Sequence, residues 1–494
     1  MSTSSIVAIL PLIALGATSV AVLLVIAAKR HATAAVLTMF LGFVLSAATI
    51  PVALQTAPTQ ATSLLVVDTF ALVYFGLLLI ASAFVGLYAW IQFRPAPIQR
   101  EEVFVLLPLA SLGAAILVFS HHFAALFLGL EILSVALYGL LAYDREEARS
   151  VEAGLKYLLV AGASSAALLF GMALVYAETG TMTLTELLVY IRETPSSGHL
   201  MRLGGIIMLA GLGFKLALVP FHMWTPDVYE GAPTAMTALV ATVSKAGVVG
   251  LLLRFFVVWG TGRGGDLSTA LVVMAVASIL LGNLGALLQS NFKRLLAYSS
   301  IAHFGYVLVA FLASGPTAVA AVTYYMVAYI TTLLLAFGVI VTLSHGRVEA
   351  EWLASYRGLL WRRPALAGAL IASMLSLAGI PLTAGFVAKF YVIAAGAGAD
   401  LWPLLWVLVV GSAIGLFYYL RVVVITSLPE KTPLPFTRTN SENALARPPT
   451  SHSERVSSVS TNAALSVLSI VVFYLGVAPA PVQTLLSRIA MQLF

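Results

Sequence analysis

Long apolar stretches recur along the whole chain and are separated by short polar stretches. A helix that crosses a lipid bilayer needs about 20 mostly apolar residues. Fourteen stretches approach or exceed that length, and none alternates apolar and polar residues as the strands of an outer-membrane barrel do. We therefore predict an all-α integral membrane protein with about 14 transmembrane helices. The predicted spans are residues 4–28, 33–54, 62–92, 103–120, 122–143, 153–177, 203–221, 233–259, 268–289, 295–313, 316–343, 364–396, 402–426 and 462–489.

The first apolar stretch lies where a signal peptide would lie. It is longer than the core of a cleaved signal, no basic residue precedes it, and Lys29, Arg30 and His31 follow it. We interpret residues 4–28 as the first membrane helix.

One long stretch, residues 429–461, is polar and rich in Ser, Thr, Pro and Asn, without an apolar period. This composition predicts a flexible cytoplasmic loop. The rest of residues 1–494 forms a single polytopic membrane domain. Its predicted parts are spans 1–3 within 1–92, two groups of five spans at about 103–259 and 268–426, and a final span at about 462–489.

Basic residues fall mainly on one side of the predicted spans. Cytoplasmic loops of membrane proteins carry the excess of Lys and Arg. One side has seventeen of these residues and the other has five, so both termini are predicted on the outer side. The five are Arg192, Arg202, Arg254, Arg263 and Arg488. The seventeen are Lys29, Arg30, Arg94, Arg100, Arg145, Arg149, Lys293, Arg294, Arg347, Arg357, Arg362, Arg363, Arg421, Lys431, Arg438, Arg447 and Arg455.

Composition excludes a soluble enzyme. Apolar residues make up 61% of the 494 residues and charged residues 9%, whereas soluble domains have about 45–50% and about 25%. Most of the surface must therefore face lipid. The net charge of +6 gives no indication of nucleic acid binding. The absence of cysteine excludes disulfides and thiolate-ligated zinc or iron–sulfur clusters held by this chain.

The remaining four basic residues, Lys156, Lys215, Lys245 and Lys389, lie inside predicted spans, and so does the acidic Glu131. A charge at the bilayer centre costs about 2.5–3.5 kcal/mol on insertion scales, so such residues are rare and usually face the bundle interior. A structural ion pair is the alternative to a functional role. For Lys156 this alternative is strong, because Glu152 lies one turn earlier and the lysine is near a helix end.

Buried lysines suit proton transfer. A free lysine has a pKa of about 10.4 and seldom releases its proton at neutral pH. Burial can lower a lysine pKa by about 3–5 units, and neighbouring charges then decide the protonation state. His303 lies in the tenth span near Ser299, Ser300 and Tyr306, and its side chain could relay protons between lysines. A histidine that only hydrogen-bonds a neighbouring helix is the alternative.

Proline and glycine interrupt two of the spans that carry lysines. Pro220 follows Lys215, whereas Gly379 and Pro381 precede Lys389. Proline removes a helix hydrogen bond, and freed carbonyls at membrane depth occur only against protein or a hydrated cavity. Interrupted helices in corresponding places of two halves are typical of transporters. We predict discontinuous helices 7 and 12, with a simple proline kink as the alternative.

Five long motifs resemble the antiporter-like subunits of respiratory complex I, and the resemblance covers about residues 60–426. The motifs are GLEILSVALYGLLAY (129–143), GFKLALVPFHMWTPDVYEGAPTA (213–235), VSKAGVVGLLLR (243–254), GNLGALLQSNFKRLLAYSSIAHFGYVL (282–308) and GIPLTAGFVAKFYV (379–392). The chain is most similar to the N type of these subunits. The M type has a glutamate where this chain has Lys389, and the L type has a long C-terminal lateral helix, whereas this chain ends just after its last predicted span.

This resemblance implies fourteen transmembrane helices, with two inverted five-helix repeats and discontinuous helices 7 and 12. It implies proton transfer by Glu131, Lys215, Lys245 and Lys389, with Lys156 and His303 as secondary candidates. NADH, FMN, iron–sulfur clusters and quinone are expected in partner subunits, so no cofactor or metal is expected in this chain. The expected partners are the other membrane-arm and peripheral subunits and the lipid of a bacterial inner membrane.

The sequence thus favours a proton-translocating subunit that couples quinone reduction elsewhere to proton transfer. One alternative is a stand-alone or Mrp-type cation/proton antiporter subunit, which would share the buried charges. The other is a membrane scaffold whose charges merely pair helices.

Overall fold

The computed structural model describes residues 2–94, 100–194, 198–259, 265–344, 348–429 and 452–493. Apolar side chains cover most helices on all sides, which is the pattern of helices packed in lipid. The helices are α1 Thr3–Ala28, α2 Ala32–Ala48, α3 Ile50–Leu54, α4 Thr69–Phe93, α5 Val103–Phe119, α6 Phe123–Leu141, α7 Ala148–Thr179, α8 Leu184–Glu193, α9 His199–Leu216, α10 Trp224–Gly231, α11 Thr234–Leu239, α12 Lys245–Trp259, α13 Asp266–Leu287, α14 Phe292–Ala313, α15 Gly315–Leu343, α16 Leu359–Arg362, α17 Pro364–Ala378, α18 Ala384–Gly398, α19 Trp402–Ser427, α20 His452–Val477 and α21 Ala480–Met491.

Two short strands and two irregular turns complete the described structure. Strands Thr59–Gln60 (β1) and Val66–Val67 (β2) pair antiparallel. A π-helical turn, Val240–Ser244, joins α11 to α12, and a 3₁₀ turn, Leu353–Tyr356, precedes α16.

The protein is a multi-pass helical membrane protein. Within the described residues, eleven helices are long and apolar enough to cross a membrane, and a twelfth span results if Thr461–Val477 and α21 count as one. Three shorter apolar helices, α5, α17 and α18, lie among them. Each predicted span therefore contains helix, while length and composition alone support eleven or twelve spans rather than fourteen.

Three helices form the centre of the bundle. The continuous helix Thr234–Phe255, which includes the π turn, is completely buried, and α14 and α15 are nearly so. In contrast, α1, α2, α7 and α19 expose most of their apolar surface. The central helices bring Lys245 and His303 into the interior.

Several predicted boundaries differ from the observed ones. The span predicted at 62–92 begins at Thr69, because the Asp68 carboxylate accepts a hydrogen bond from the Ala71 amide at 2.8 Å and caps the helix there. The span predicted at 462–489 is divided into two helices, bent by 78° around Ala478 and Pro479. The short helices α8 and α10 are not among the predicted elements, because their polar residues are typical of loops.

The polar stretch predicted as a loop at 429–461 is only partly described. Residues 430–451 lie outside the described residues. At its end the prediction is wrong, because α20 already begins at His452.

Both interruptions predicted from proline and glycine are present. Helix α9 ends at Leu216, where Ala217 adopts a left-handed conformation (φ 61°), and the Leu218 amide returns to the Gly213 carbonyl at 2.8 Å. Helix α17 ends at Ala378, followed by Gly379 at φ 81°. Left-handed residues of this kind terminate helices by redirecting the chain toward the last carbonyls. The chain resumes as α10 in the first case and α18 in the second.

We expect Gly385→Ala to destabilise the protein by about 3 kcal/mol, the upper end of the usual overpacking cost. Gly385 donates its amide to the Ser376 hydroxyl at 3.1 Å, and an added Cβ would overlap the Ser376 backbone carbonyl across the break. Thermal unfolding of the purified protein measures the effect. Gly368→Ala is the matched control, because no atom lies within 4 Å of the Cβ that it adds. Equal melting temperatures for the two variants would contradict the tight contact at this break.

Candidate functional site

Lys215 lies in the last turn of helix α9 inside the bundle and is 2% exposed. Its ammonium donates hydrogen bonds to the Ser134 hydroxyl at 2.6 Å and the Tyr157 hydroxyl at 3.2 Å. It also lies 5.1 Å from the centre of the Tyr157 ring, a favourable position for a cation. The break at Ala217 therefore leaves Lys215 in the last turn, where the helix dipole favours a positive charge.

Glu131 lies near the same ammonium on helix α6. Its carboxylate acts electrostatically on Lys215, and one carboxylate oxygen is buried without a hydrogen-bond partner. Ser134, which binds Lys215, is on the same helix less than one turn away. Helix α6 therefore carries both the hydroxyl that binds Lys215 and the carboxylate of Glu131.

Lys245 begins α12 directly after the π turn and is fully buried. Its ammonium donates to the Ser300 hydroxyl at 2.5 Å and lies 4.6 Å from the centre of the Phe304 ring. The Tyr329 hydroxyl also donates to Ser300, at 2.6 Å. A neutral hydroxyl and an aromatic ring therefore take the place of a carboxylate partner. Local π turns of this kind are frequent at functional sites.

His303 lies one turn beyond Ser300 on α14 and binds hydroxyls with both ring nitrogens. Nδ1 is 2.6 Å from the Tyr325 hydroxyl, and Nε2 is 3.0 Å from the Tyr419 hydroxyl. The Tyr419 hydroxyl is also 2.5 Å from the Ser299 hydroxyl. The histidine thus connects helices α14, α15 and α19 through groups that can each donate or accept a proton.

Lys389 spans the second break. Its ammonium donates to the carbonyls of Leu377 and Ala378 at 3.0 and 2.9 Å, and the side chain is 7% exposed. These carbonyls are at the end of α17, where a helix has no backbone donors of its own to satisfy them. Lys389 therefore replaces the missing donors and places a positive charge at the negative end of the α17 dipole.

A series of polar side chains leads away from Lys389. Its ammonium is 5.4 Å from the centre of the Tyr306 ring. The Tyr306 hydroxyl accepts from the Asn283 amide at 2.9 Å, and Tyr418 donates to the Asn283 carbonyl oxygen at 3.1 Å. Tyr418 precedes Tyr419 in α19, so the Lys389 and His303 clusters meet at adjacent residues.

Lys156 is placed apart from the other lysines. Its side chain is 43% exposed and forms ion pairs at 2.8 Å with Glu152 and with Asp227. The ion pair with Glu152 is the structural alternative considered for this residue. The structure thus leaves Lys156 half-exposed at the rim of the bundle.

Arg254 and Lys293, which the charge count placed on the two sides of the membrane, are buried, as is Arg100. Arg254 lies within α12 and binds the Asp68 carboxylate through both terminal nitrogens, at 2.8 and 2.7 Å. Lys293 lies in the first turn of α14 and binds Glu349 at 2.6 Å. Both placements correct the sequence analysis, because a partner distant in sequence compensates each buried charge.

The sequence analysis missed the side chains that hold the lysines. Ser134 and Tyr157 are 81 and 58 residues from Lys215, and Ser300 is 55 residues from Lys245. Serine and tyrosine in apolar helices give no distinctive local signal. Only helix packing identifies these residues as partners.

Among the described residues, no group of three or more His, Asp or Glu side chains is arranged to hold a metal ion.

Interrupted helices with charged residues in the bundle interior define a class, the helical membrane transport proteins. A family model described as NADH:quinone oxidoreductase/Mrp antiporter, TM matches residues 120–415. The chain belongs to this family.

Curated relatives match over nearly the full length. NADH-quinone oxidoreductase subunit N of Ectopseudomonas mendocina is 46% identical, covering 98% of this chain and 96% of that protein. The protein of the same name from Methylococcus capsulatus is 47% identical and covers 86% of each chain. This similarity agrees with the N-type resemblance of the sequence motifs.

Solved structures share the fold. A chain of respiratory complex I from Thermus thermophilus with bound aureothin is 31% identical, with a TM-score of 0.79 over 96% of this chain and 98% of that chain. A chain of the Mrp complex from Dietzia sp. DQ12-45-1b has the same TM-score but is 23% identical, covering 100% of this chain and 98% of that one. The second comparison supports the fold alone.

Proposed function

We propose that this chain is a proton-translocating subunit in the membrane arm of an NADH-quinone oxidoreductase. Quinone reduction in other subunits of the complex drives proton transfer through the buried residues of this chain. The similarity to curated N subunits over most of the chain supports this assignment. The redox cofactors, namely FMN and the iron–sulfur clusters, belong to partner subunits, as do the sites for NADH and quinone.

One observation carries the proton-transfer role. Lys215, Lys245 and Lys389 are buried, yet none of them takes part in the ion pairs found among the described residues. Their direct partners are hydroxyls and backbone carbonyls. A scaffold that used buried charges to join helices would pair them with carboxylates, because an unpaired buried charge is costly. Neutral partners leave each lysine able to change its protonation state.

The residues take successive roles in this proposal. Glu131 and Lys215 form the first pair, and a change at Glu131 alters the electrostatic field at Lys215. Lys245 is the central carrier and Lys389 the last one, with the hydroxyls around His303 between them. Lys156 stays at the rim, where its two ion pairs favour a structural role.

The finer architecture is also part of the proposal. Joining α2 to α3, α9 to α10, α11 to α12, α17 to α18 and α20 to α21, and leaving out the short helices α8 and α16, gives fourteen spans, two of them discontinuous. The two groups of five then form inverted repeats, spans 4–8 and 9–13. The basic side faces the cytoplasm, so both termini lie on the outer side of a bacterial inner membrane.

The Mrp-type antiporter is the second candidate. This chain shares its fold with a chain of the Mrp complex, but the two sequences are only 23% identical. The N subunits are 46% and 47% identical to this chain. The described contacts give no observation that specifically favours cation exchange by this chain alone.

Lys245→Ala tests the proposed function. We expect NADH-driven acidification of membrane vesicles to fall about tenfold per assembled complex, less than the loss of a proton donor usually causes. The loss is partial because the hydrogen bond from Tyr329 to Ser300 remains beside the missing ammonium. Acidification and NADH oxidation are measured in the same vesicles. Acidification equal to that of the unmodified complex would contradict the role of Lys245.

A further inference from the structure

The helix that carries Lys245 begins without a cap of its own. Thr234 is its first residue, and the preceding Pro233 provides no side-chain cap. The first amides of a helix have no partners within the helix, so a buried helix start needs acceptors from elsewhere. Side chains from distant segments supply them here.

Glu349 provides the first acceptors. One carboxylate oxygen accepts from the Thr234 amide at 2.9 Å, and the other accepts from the Thr234 hydroxyl at 2.7 Å. Gln92, near the end of α4, accepts from the Ala235 amide at 2.8 Å and donates to Glu349 at 2.5 Å. The first two amides of this helix are therefore capped by residues 115 and 143 positions away.

Lys293 links the same carboxylate to a second helix. Its ammonium donates to Glu349 at 2.6 Å and to the Ala232 carbonyl at 2.7 Å. Lys293 lies in the first turn of α14, which carries Ser300 two turns later. Glu349 thus holds together the starts of the two helices whose middles form the hydrogen bond between Lys245 and Ser300.

The segment carrying Glu349 is itself fixed in place. The Phe292 amide donates to the Glu351 carbonyl, and the Leu353 amide donates to the Ser290 carbonyl at 3.0 Å. These bonds attach the segment after α15 directly to the start of α14. These two backbone bonds therefore couple the position of Glu349 to the start of α14.

Charge strengthens the arrangement. Burial alone would raise the pKa of Glu349, but the Lys293 ammonium and the hydrogen bonds from Lys293 and Thr234 outweigh burial and hold this pKa below its usual value. The carboxylate is therefore ionised at neutral pH. A negative charge at a helix start is also favoured by the helix dipole.

We propose that Glu349 is a positioning residue for proton transfer, which fixes the start of the Lys245 helix against the start of α14 and so sets the contact of Lys245 with Ser300. The proposal rests on the role assigned to Lys245. Lys245 lies eleven residues after Thr234, about 16 Å along a helix axis, so a small displacement at the start carries through to the lysine. Glu349, Thr234 and Lys293 together form a clamp. This clamp joins a helix of the first group of five spans to a helix of the second group.

Glu349→Gln tests the clamp in the complete complex. The amide keeps the shape but loses the charge, and its NH₂ group would face the donors Thr234 and Lys293. We expect NADH-driven acidification per assembled complex to fall about tenfold, because small misplacements of reacting groups cost large factors in rate. Amide hydrogen exchange of residues 234–245 should become faster. Normal acidification with unchanged exchange would overturn the proposal.

Further variants separate positioning from simple stability. Glu349→Asp keeps the charge and should restore part of the acidification. Thr234→Val removes one of the four donors and should give a smaller loss in the same direction. Glu351→Gln is the matched control on the same segment, because Glu351 binds Asn291 and Arg149 but not the start of the Lys245 helix; it should pump normally. If the Glu349→Gln complex assembles poorly but its assembled fraction pumps normally, the positioning role is wrong.

The test of Glu349 can fail independently of the test of the proposed function. Normal pumping by Lys245→Ala would overturn the role of Lys245, whereas hydrogen exchange in Glu349→Gln would still report whether the clamp holds the helix start. Loss of pumping in Lys245→Ala, with normal pumping and normal exchange in Glu349→Gln, would overturn the clamp alone.

Discussion

Replacing Lys215 with alanine is expected to lower NADH-driven acidification about 100-fold per assembled complex, a loss typical of a removed proton donor. The ammonium is the common partner of Ser134 and Tyr157 and a buried cation on which Glu131 acts electrostatically. Without it, both hydroxyls lose a donor and the carboxylate loses its electrostatic partner. NADH oxidation should fall as well, because the coupled complex cannot turn over freely. Both rates are measured in the same native membrane vesicles.

Two control variants decide what kind of loss this is. Lys156→Ala removes a lysine that is exposed and held only by rim ion pairs, which contribute little, so pumping should stay near normal. Lys215→Arg keeps a positive charge but cannot release its proton in a protein. Restored pumping in Lys215→Arg would mean that a fixed charge suffices, and the proton-carrier role would be wrong. Unchanged oxidation and acidification in Lys215→Ala would leave Lys215 as a structural charge.

Lys389→Met is expected to lower acidification by about 100-fold per assembled complex as well. Methionine fills much of the space of the lysine stem but leaves the Leu377 and Ala378 carbonyls without their donor. Both the proton carrier at the second break and the cation at the end of α17 are then lost. Acidification is normalised to assembled complex, and thermal unfolding of the same samples records the cost in stability.

The matched control for Lys389→Met is Arg421→Met. Arg421 donates to the Leu287 carbonyl at 3.1 Å and to the Gln289 carbonyl, so it also places a cation against carbonyls at a helix end. This control should lower stability without lowering acidification per assembled complex. If the two variants behave alike, losing a helix-end cation explains both, and Lys389 has no separate role in proton transfer.

The fold was predictable wherever the determinants are local. Apolar stretches long enough to span a bilayer identify the helices, because lipid imposes one length scale on every span. Gly379 and Pro381 locate the second break, since a left-handed residue and a proline cannot continue a helix. The start of α4 at Thr69 was not predicted, because the Asp68 cap outweighed the apolar residues before it. Likewise the bend at Pro479 divides a stretch whose composition alone predicts one span.

The candidate site was predictable only as a set of charged residues. Glu131, Lys215, Lys245 and Lys389 are conspicuous because charges are rare inside apolar stretches. Glu349 is held in a network of hydrogen bonds and an ion pair, yet in the sequence it is one acidic residue in a polar loop. Arg254 was counted only as a charge on the outer side, although it is buried and binds Asp68 186 residues away.

The sequence by itself determined the class of protein, the positions of most spans, both helix breaks and a set of candidate charges within apolar stretches. These features follow from hydropathy and backbone chemistry, which act within about 20 residues. Only the tertiary structure decided which groups those charges meet: Ser134 for Lys215, Ser300 for Lys245, and two helix-end carbonyls for Lys389. It also separated Lys156 from the other lysines and assigned Glu349 to the start of the Lys245 helix. Partners of this kind come from helices far apart in the chain, so their choice depends on how the helices pack.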